Sequence, residues 1–185
     1  LNVTNVGTAQ DTFTISVEPN EGTPAPRLSV ESFTLEPGAS REVGVSWSLN
    51  PAAPGQYQGF LVIRSTASDV AARVPFWAGV AAPEPAVVRI LDADTSGSPG
   101  TLLRQAVLFQ VVDASGIGFT SIRPEIVSLG GGGRASNIIS VDSEIPGAYV
   151  ADIRLGPLPG DNQFRIEVGP VFTTFTIRGA LRAQP

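Results

Sequence analysis

Apolar residues fall at every second position along much of this chain. In Val43-Gly44-Val45-Ser46-Trp47-Ser48-Leu49 they occupy alternate places. Phe13, Ile15 and Val17 do the same, as do Phe60 and Val62, and then Val74, Phe76, Ala78 and Val80. Successive side chains of a strand point to opposite faces, so this pattern describes strands with one face buried. No stretch long enough for a helix keeps a helical period. Turn clusters separate the runs: Asn5-Val6-Gly7, Pro19-Asn20-Glu21-Gly22, Glu36-Pro37-Gly38, and residues 50–55. Short strands punctuated this regularly predict an all-β sandwich.

The second half follows the same rule. Strands are expected at 87–91, 106–113, 121–128, 138–141, 148–155, 163–168 and 172–177. Between them stand Ser96-Gly97-Ser98-Pro99-Gly100, Ser115-Gly116, the run Gly130–Gly133, Pro146-Gly147 and Pro157-Leu158-Pro159-Gly160. Such Gly, Pro and Ser clusters mark turns. The glycine run reads as a flexible loop between strands. The sharpest change of composition is Ala81-Ala82-Pro83-Glu84-Pro85-Ala86. Proline fixes its own φ and keeps the preceding residue out of helix, so this is a stiff extended linker. The expected organisation is a sandwich at 1–80, a linker at 81–86 and a second sandwich at 87–185.

Composition removes most chemistry. The chain has no Cys, His, Met or Lys, and all 12 of its basic residues are Arg. It can therefore build no thiolate nucleophile or zinc–thiolate site. It has no imidazole for a Ser-His-Asp triad and no lysine for a Schiff base or a phosphate loop. No catalytic constellation and no cofactor site is expected. A net charge of −5 argues against nucleic acid and against anionic membrane surfaces. No apolar run approaches a membrane span, so membrane insertion is not expected either. The chain opens on Leu1, and the expectation is a piece of a longer polypeptide.

Two resemblances add to this reading. Val3-Thr4-Asn5-Val6-Gly7, then Phe13–Pro19, Leu28-Ser29-Val30 and Phe33-Thr34-Leu35 stand in order before Pro37–Val43. Gly55–Gly59 and the closing Arg73-Val74-Pro75-Phe76-Trp77 complete the string. In this order residues 1–80 resemble the fibronectin-III-like domain that follows the catalytic domain of many bacterial subtilisin-like serine proteases. The second half resembles a bacterial Ig-like repeat of the invasin and intimin type. The strings that carry it are Ser96–Leu103, Val111-Val112-Asp113-Ala114-Ser115-Gly116, Gly147–Val150 and Leu155–Asn162. Where that family has a Pro-Val-Pro-Gly-Val-like turn, this chain has Ile117-Gly118-Phe119-Thr120.

The resemblances imply a secreted or cell-surface bacterial protein. They imply a non-catalytic C-terminal region of a subtilisin-like protease, with an upstream catalytic domain of the same chain as its partner. It would stabilise that domain and act as spacer or binding arm. The alternatives are an Ig-like stalk segment of a surface adhesin and a carbohydrate-binding module, with a surface protein or polysaccharide as partner.

Few residues suggest a site. Asp92-Ala93-Asp94-Thr95-Ser96-Gly97 opens like a calcium loop, with oxygen ligands Asp92, Asp94 and Ser96 at alternate places and a glycine for the turn. The twelfth position, where a bidentate Glu belongs, holds Leu103. The plain reading is a solvated strand end. Asp142 and Glu144 are a second carboxylate pair, placed beside the Pro146-Gly147 turn, and are read as turn residues. Trp47 shares a face with Val43, Val45 and Leu49 and is expected in the core. Trp77 shares the opposite face from Val74, Phe76 and Ala78 with Arg73 and Pro75. Trp77, Arg73 and Pro75 are the candidate interface, for a neighbouring domain or a sugar ring, unless a loop of the same domain covers the indole.

Overall fold

The computed structural model describes residues 1–48, 53–68, 71–120 and 122–181. Leu49, part of the 50–55 turn and Ser121 lie outside the described residues. No helix occurs among the described residues. The chain divides into two units, Leu1–Val80 and Ala81–Pro185.

The first unit contains β1 (Asn2–Thr4), β2 (Asp11–Pro19), β3 (Arg27–Leu28) and β4 (Ser32–Leu35), then β5 (Ser40–Glu42), β6 (Val45–Ser46), β7 (Gly55–Ser65) and β8 (Ala71–Val80). An antiparallel sheet runs β4-β2-β7-β8. Opposite it lie two short pairs, β1-β5 and β3-β6. Val3, Ile15, Phe33, Leu35, Val43 and Leu61 fill the space between.

Two expectations change here. On β7 the side between the sheets is Leu61 and Ile63; Val62, 1% exposed, is buried on the opposite face, where Phe60 is half-buried. The run Phe60-Leu61-Val62-Ile63 is apolar on both faces, so alternation alone does not tell inside from outside. The register settles it: Leu61 stands opposite Val74, and Phe60 opposite Pro75. The regular strand expected from Val43 onward also breaks at Gly44. There the chain changes partner from β1 to β3, Ser29 N–H donating to the Gly44 carbonyl and Gly44 N–H to the Ser29 hydroxyl. Beyond the break Val45 is exposed, and Trp47 is half-buried rather than central. Its indole N–H donates to the Pro24 carbonyl, and its ring meets Phe76 edge-on at 5.0 Å.

The second unit contains β9 (Val87–Ala93), β10 (Ser96–Gly97), β11 (Leu102–Val112) and β12 (Glu125–Gly130), then β13 (Arg134–Ser140), β14 (Ala148–Arg154), β15 (Gly160–Val168) and β16 (Val171–Gly179). One sheet runs β13-β14-β11-β9 and the other β10-β16-β15-β12. Lettered in chain order, with β9 and β10 as two parts of strand A, these are strands A, B, E and D against C, F and G. That is the strand order of an immunoglobulin-type sandwich. β10 joins the second sheet by pairing in parallel with β16. The core holds Phe109, Ile153, Phe164, Ile166 and Ile177 at full burial. Phe109 stacks on Tyr149 and Phe164 on Phe175, with centroids 5.6 and 5.1 Å apart. Each such side chain contributes roughly 1.5–3 kcal/mol by leaving water.

The glycine run is a packed corner, not a flexible loop. β12 and β13 belong to different sheets, so the chain between them crosses the end of the sandwich. A Cβ on Gly156 would stand 1.7 Å from the Gly131 carbonyl oxygen, and one on Gly131 would stand 2.3 Å from that of Asp161. Only glycine permits backbones this close. Asn162, wholly buried, ties the corner: its Oδ1 accepts from Gly156 N–H and its Nδ2 donates to the Ile177 carbonyl.

Candidate functional site

The carboxylates most deeply built into the chain hold backbone. Asp113, 1% exposed, opens the turn of the V-x-D-x-x-G string. Its Oδ1 accepts from Ser115 and Ile117 N–H, and its Oδ2 accepts from Ala82 N–H at 2.7 Å. Burial, the largest single influence, pushes this carboxyl up. The amides of Ala82, Ile117, Ser115 and Gly116 together outweigh it and hold the group below the ordinary Asp value. Asp113 thus fastens the start of the 81–86 segment to its own domain, and the bond from Ala86 N–H to the Val112 carbonyl fastens its end.

Asp152 does the same for two strands at once. It lies in the middle of β14, and both neighbouring strands bulge beside it. Gln105 and Asn137, at the two bulges, have φ of 50° and 48°. Gln105 N–H donates to Asp152 Oδ1, and the Asn137 amide to Oδ2. The Asn137 bond, followed by the Gln105 amide, pulls this carboxyl down. In the first unit Asp11 Oδ2 accepts from the Ser65 hydroxyl, while Oδ1 accepts from the Thr66 hydroxyl and Ala67 N–H. The Ser65 bond leads in holding this carboxyl low. An Asp amid apolar strand residues, as in Ala151-Asp152-Ile153, was the signal in the sequence for such a clamp.

The proposed calcium ligands are spread along an extended crossing. Asp92 ends within β9, Asp94 N–H donates to the Ala106 carbonyl, and Ser96 lies in β10 beside Arg178. The same crossing carries the chain from one sheet to the other, and all three side chains are exposed. Among the described residues no three acidic side chains gather where they could hold a metal ion. Asp142 Oδ1 accepts from Gly147 N–H and so closes its turn.

Trp77 lies on the outer face of β8 and is 58% exposed. No loop among the described residues covers it. Its indole N–H donates to Gln56 Oε1 at 3.1 Å, which tethers the ring to β7. Gln58 stands directly opposite Trp77, and Phe60 opposite Pro75. Asn20, Gln58, Phe60, Pro75 and Trp77 line an open hollow of about 350 Å³. Arg73, two residues along β8, is committed elsewhere. Its guanidinium lies over the Phe60 ring at 4.5 Å and pairs with Glu18 at 2.9 Å. An exposed pair and a stacked cation of this kind contribute about 0.5–1 kcal/mol each. Trp77, Pro75 and Arg73 therefore share one face, as the alternation implies. Phe60, Gln56 and Gln58 join them there, which the sequence alone did not indicate.

No family model matches the chain, and no curated protein sequence matches it. Similar solved structures include S-layer, adhesin and invasin domains and a glycosyl hydrolase family 2 member from Bacteroides cellulosilyticus. Domains 4 and 5 of the S-layer protein SbsC are 15% identical, with 90% of this chain and 69% of that one covered at a TM-score of 0.43. The Escherichia coli adhesin FdeC is 16% identical, with 93% and 53% covered at 0.45. Invasin, described as a bacterial integrin-binding protein, is 10% identical, with 92% and 32% covered at 0.39. The chain thus spans about half of the adhesin structure and a third of the invasin structure. At such identities and scores the likenesses carry no argument about activity, and the sandwich assignment rests on the strand order described above.

Proposed function

We propose that this chain is a non-catalytic spacer: two Ig-like sandwiches forming part of a stalk on a bacterial surface protein, which hold another domain away from the cell. One observation carries the reading. Every buried polar side-chain atom among the described residues has a hydrogen-bond partner. Asp113, Asp152 and Asn162 spend their hydrogen-bonding capacity on turns, bulges and corners of their own domain. Active sites keep polar groups poised for a substrate; here they are consumed in holding backbone. A sandwich stabilised in this way serves by keeping its shape and length.

The test is a replacement in the parent polypeptide. Exchange of residues 1–185 for an unrelated tandem of two sandwiches of similar length leaves surface binding intact if the segment is a spacer. Deletion without replacement reduces it. Loss of binding in the replaced protein contradicts the proposal. The string Val3–Gly7 with Arg73–Trp77 favours a second reading, an accessory region of a secreted subtilisin-like protease. In that case the replacement lowers the heat resistance of an adjoining catalytic domain.

A further inference from the structure

We infer that the outer face of β7 and β8 is a subsite for a single uncharged sugar ring, with Trp77 as its platform. This goes beyond the spacer reading and does not depend on it. Four observations lead there. The indole is 58% exposed, yet held by the bond from its N–H to Gln56 Oε1, so little freedom is lost when a ligand lies on it. The hollow beside it is about 350 Å³, within the range of small-ligand sites. Pro75, Phe60 and Trp77 give it apolar lining, and Asn20 and Gln58 bring side-chain amides to it. An amide both donates and accepts, as a sugar hydroxyl does. The apolar C–H face of a pyranose matches the indole, and its hydroxyls match the amides of Asn20 and Gln58.

Charge narrows the occupant. Glu18 and Arg73, the charged groups beside the hollow, neutralise each other at 2.9 Å, and Arg73 is further engaged by Phe60. Among the described residues that line the hollow there is no cation for a phosphorylated or acidic sugar and no carboxylate for a basic peptide. A neutral hexose or N-acetylhexosamine unit at the end or side of a polysaccharide fits. One ring on one platform gives weak binding, with a Kd on the order of a millimolar.

The experiment uses the whole 185-residue chain and its two indole N–H signals in NMR. Maltohexaose, cellohexaose and chitohexaose are each titrated to about 20 mM, well past the expected Kd. The expected result is a saturable shift of the Trp77 indole signal with at least one of them, while the Trp47 signal stays in place. Trp77→Ala abolishes the response at the Gln58 amide. Gln58→Ala keeps both indoles and weakens binding about fivefold, the worth of one hydrogen bond. The unchanged spread of the remaining signals verifies that both variants are folded. The proposal is overturned if no oligosaccharide moves the Trp77 signal, or if binding survives Trp77→Ala. It is equally overturned if Trp77 instead mediates self-association, seen by sedimentation as a mass that Trp77→Ala returns to the monomer.

Discussion

The two sandwiches show the same outside and different insides. On each outer face an arginine lies over a phenylalanine and pairs with a glutamate: Arg73 with Phe60 and Glu18 in the first, Arg165 with Phe172 and Glu167 in the second. Inside they differ. Among the described residues the second core has fourteen buried apolar side chains in one cluster and the first has six. The second is also held by buried polar groups at several points. Asn162 ties the corner, Asp152 the bulges and Asp113 the entry to the domain. Gln110 bridges Arg89 and the Pro146 carbonyl. The first has Asn5, whose amide donates to the carbonyls of Ala9 and Leu35. Stability in such domains follows the interior, since exposed pairs contribute little. The second sandwich should therefore be the more resistant. What sets the first apart is on its surface: the exposed tryptophan.

Both tryptophans lie in residues 1–80. Their emission reports on the first sandwich alone, so a change confined to the second is read by calorimetry with the emission curve as internal reference. The largest effect is expected from Gly156→Ala. The added methyl meets the Gly131 carbonyl oxygen at 1.7 Å, a backbone atom that cannot turn aside. A loss of about 3 kcal/mol is expected, lowering the second transition by roughly 10–20 °C and leaving the emission curve in place. Asn162→Ala follows. It strands the buried Gly156 N–H and costs about 1–3 kcal/mol in the same transition. Asp113→Ala releases the Ala82 N–H. Its hydrogen exchange, slow in the parent chain, becomes fast, while amides of the first sandwich are unchanged.

Acid sharpens the contrast. Asp113 and Asp152 in the second sandwich, and Asp11 in the first, all titrate below the ordinary value of 3.8 when folded. The unfolded chain therefore takes up protons first. The stability these groups contribute is fully present above about pH 5. It is lost as pH falls through 3.8 and on through the lower folded values. Both transitions fall in acid, and Asp152→Asn makes the second less sensitive to pH in this window. The smallest effect is at Trp77. Its replacement by Ala changes the stability of the first sandwich by less than about 0.5 kcal/mol, because the side chain is exposed.

Alternation made most of the fold legible. The strands around Ile15, Val74 and Phe164 follow their period-two pattern, and the all-β class follows from them. The pattern failed where a physical reason overrides it. At Gly44 the chain changes partner, so Val45 and Trp47 leave the core. On β7 both faces are apolar, and only the pairing with β8 distinguishes Leu61 from Phe60. β10 is two residues long and paired in parallel, too short to carry a period. The bulges at Gln105 and Asn137 interrupt β11 and β13, which is why those strands begin earlier than their apolar runs. The glycine run reads as mobile because a sequence does not reveal that the Asp161 backbone passes 2.3 Å from a would-be Cβ on Gly131. For the surface site, Trp77 with Arg73 and Pro75 could be placed on one face. The amides of Gln56, Gln58 and Asn20 reach that face through strand register and turn, which no local pattern encodes.

The central claim is that two separate sandwiches share this chain and that the second is held more firmly. Urea unfolding followed by tryptophan emission and by far-ultraviolet circular dichroism tests it most directly. The account predicts an emission midpoint at lower urea. It also predicts that a second dichroism transition continues after the emission has finished changing. A single transition coincident by both probes, or emission that changes only in the last step, would contradict it.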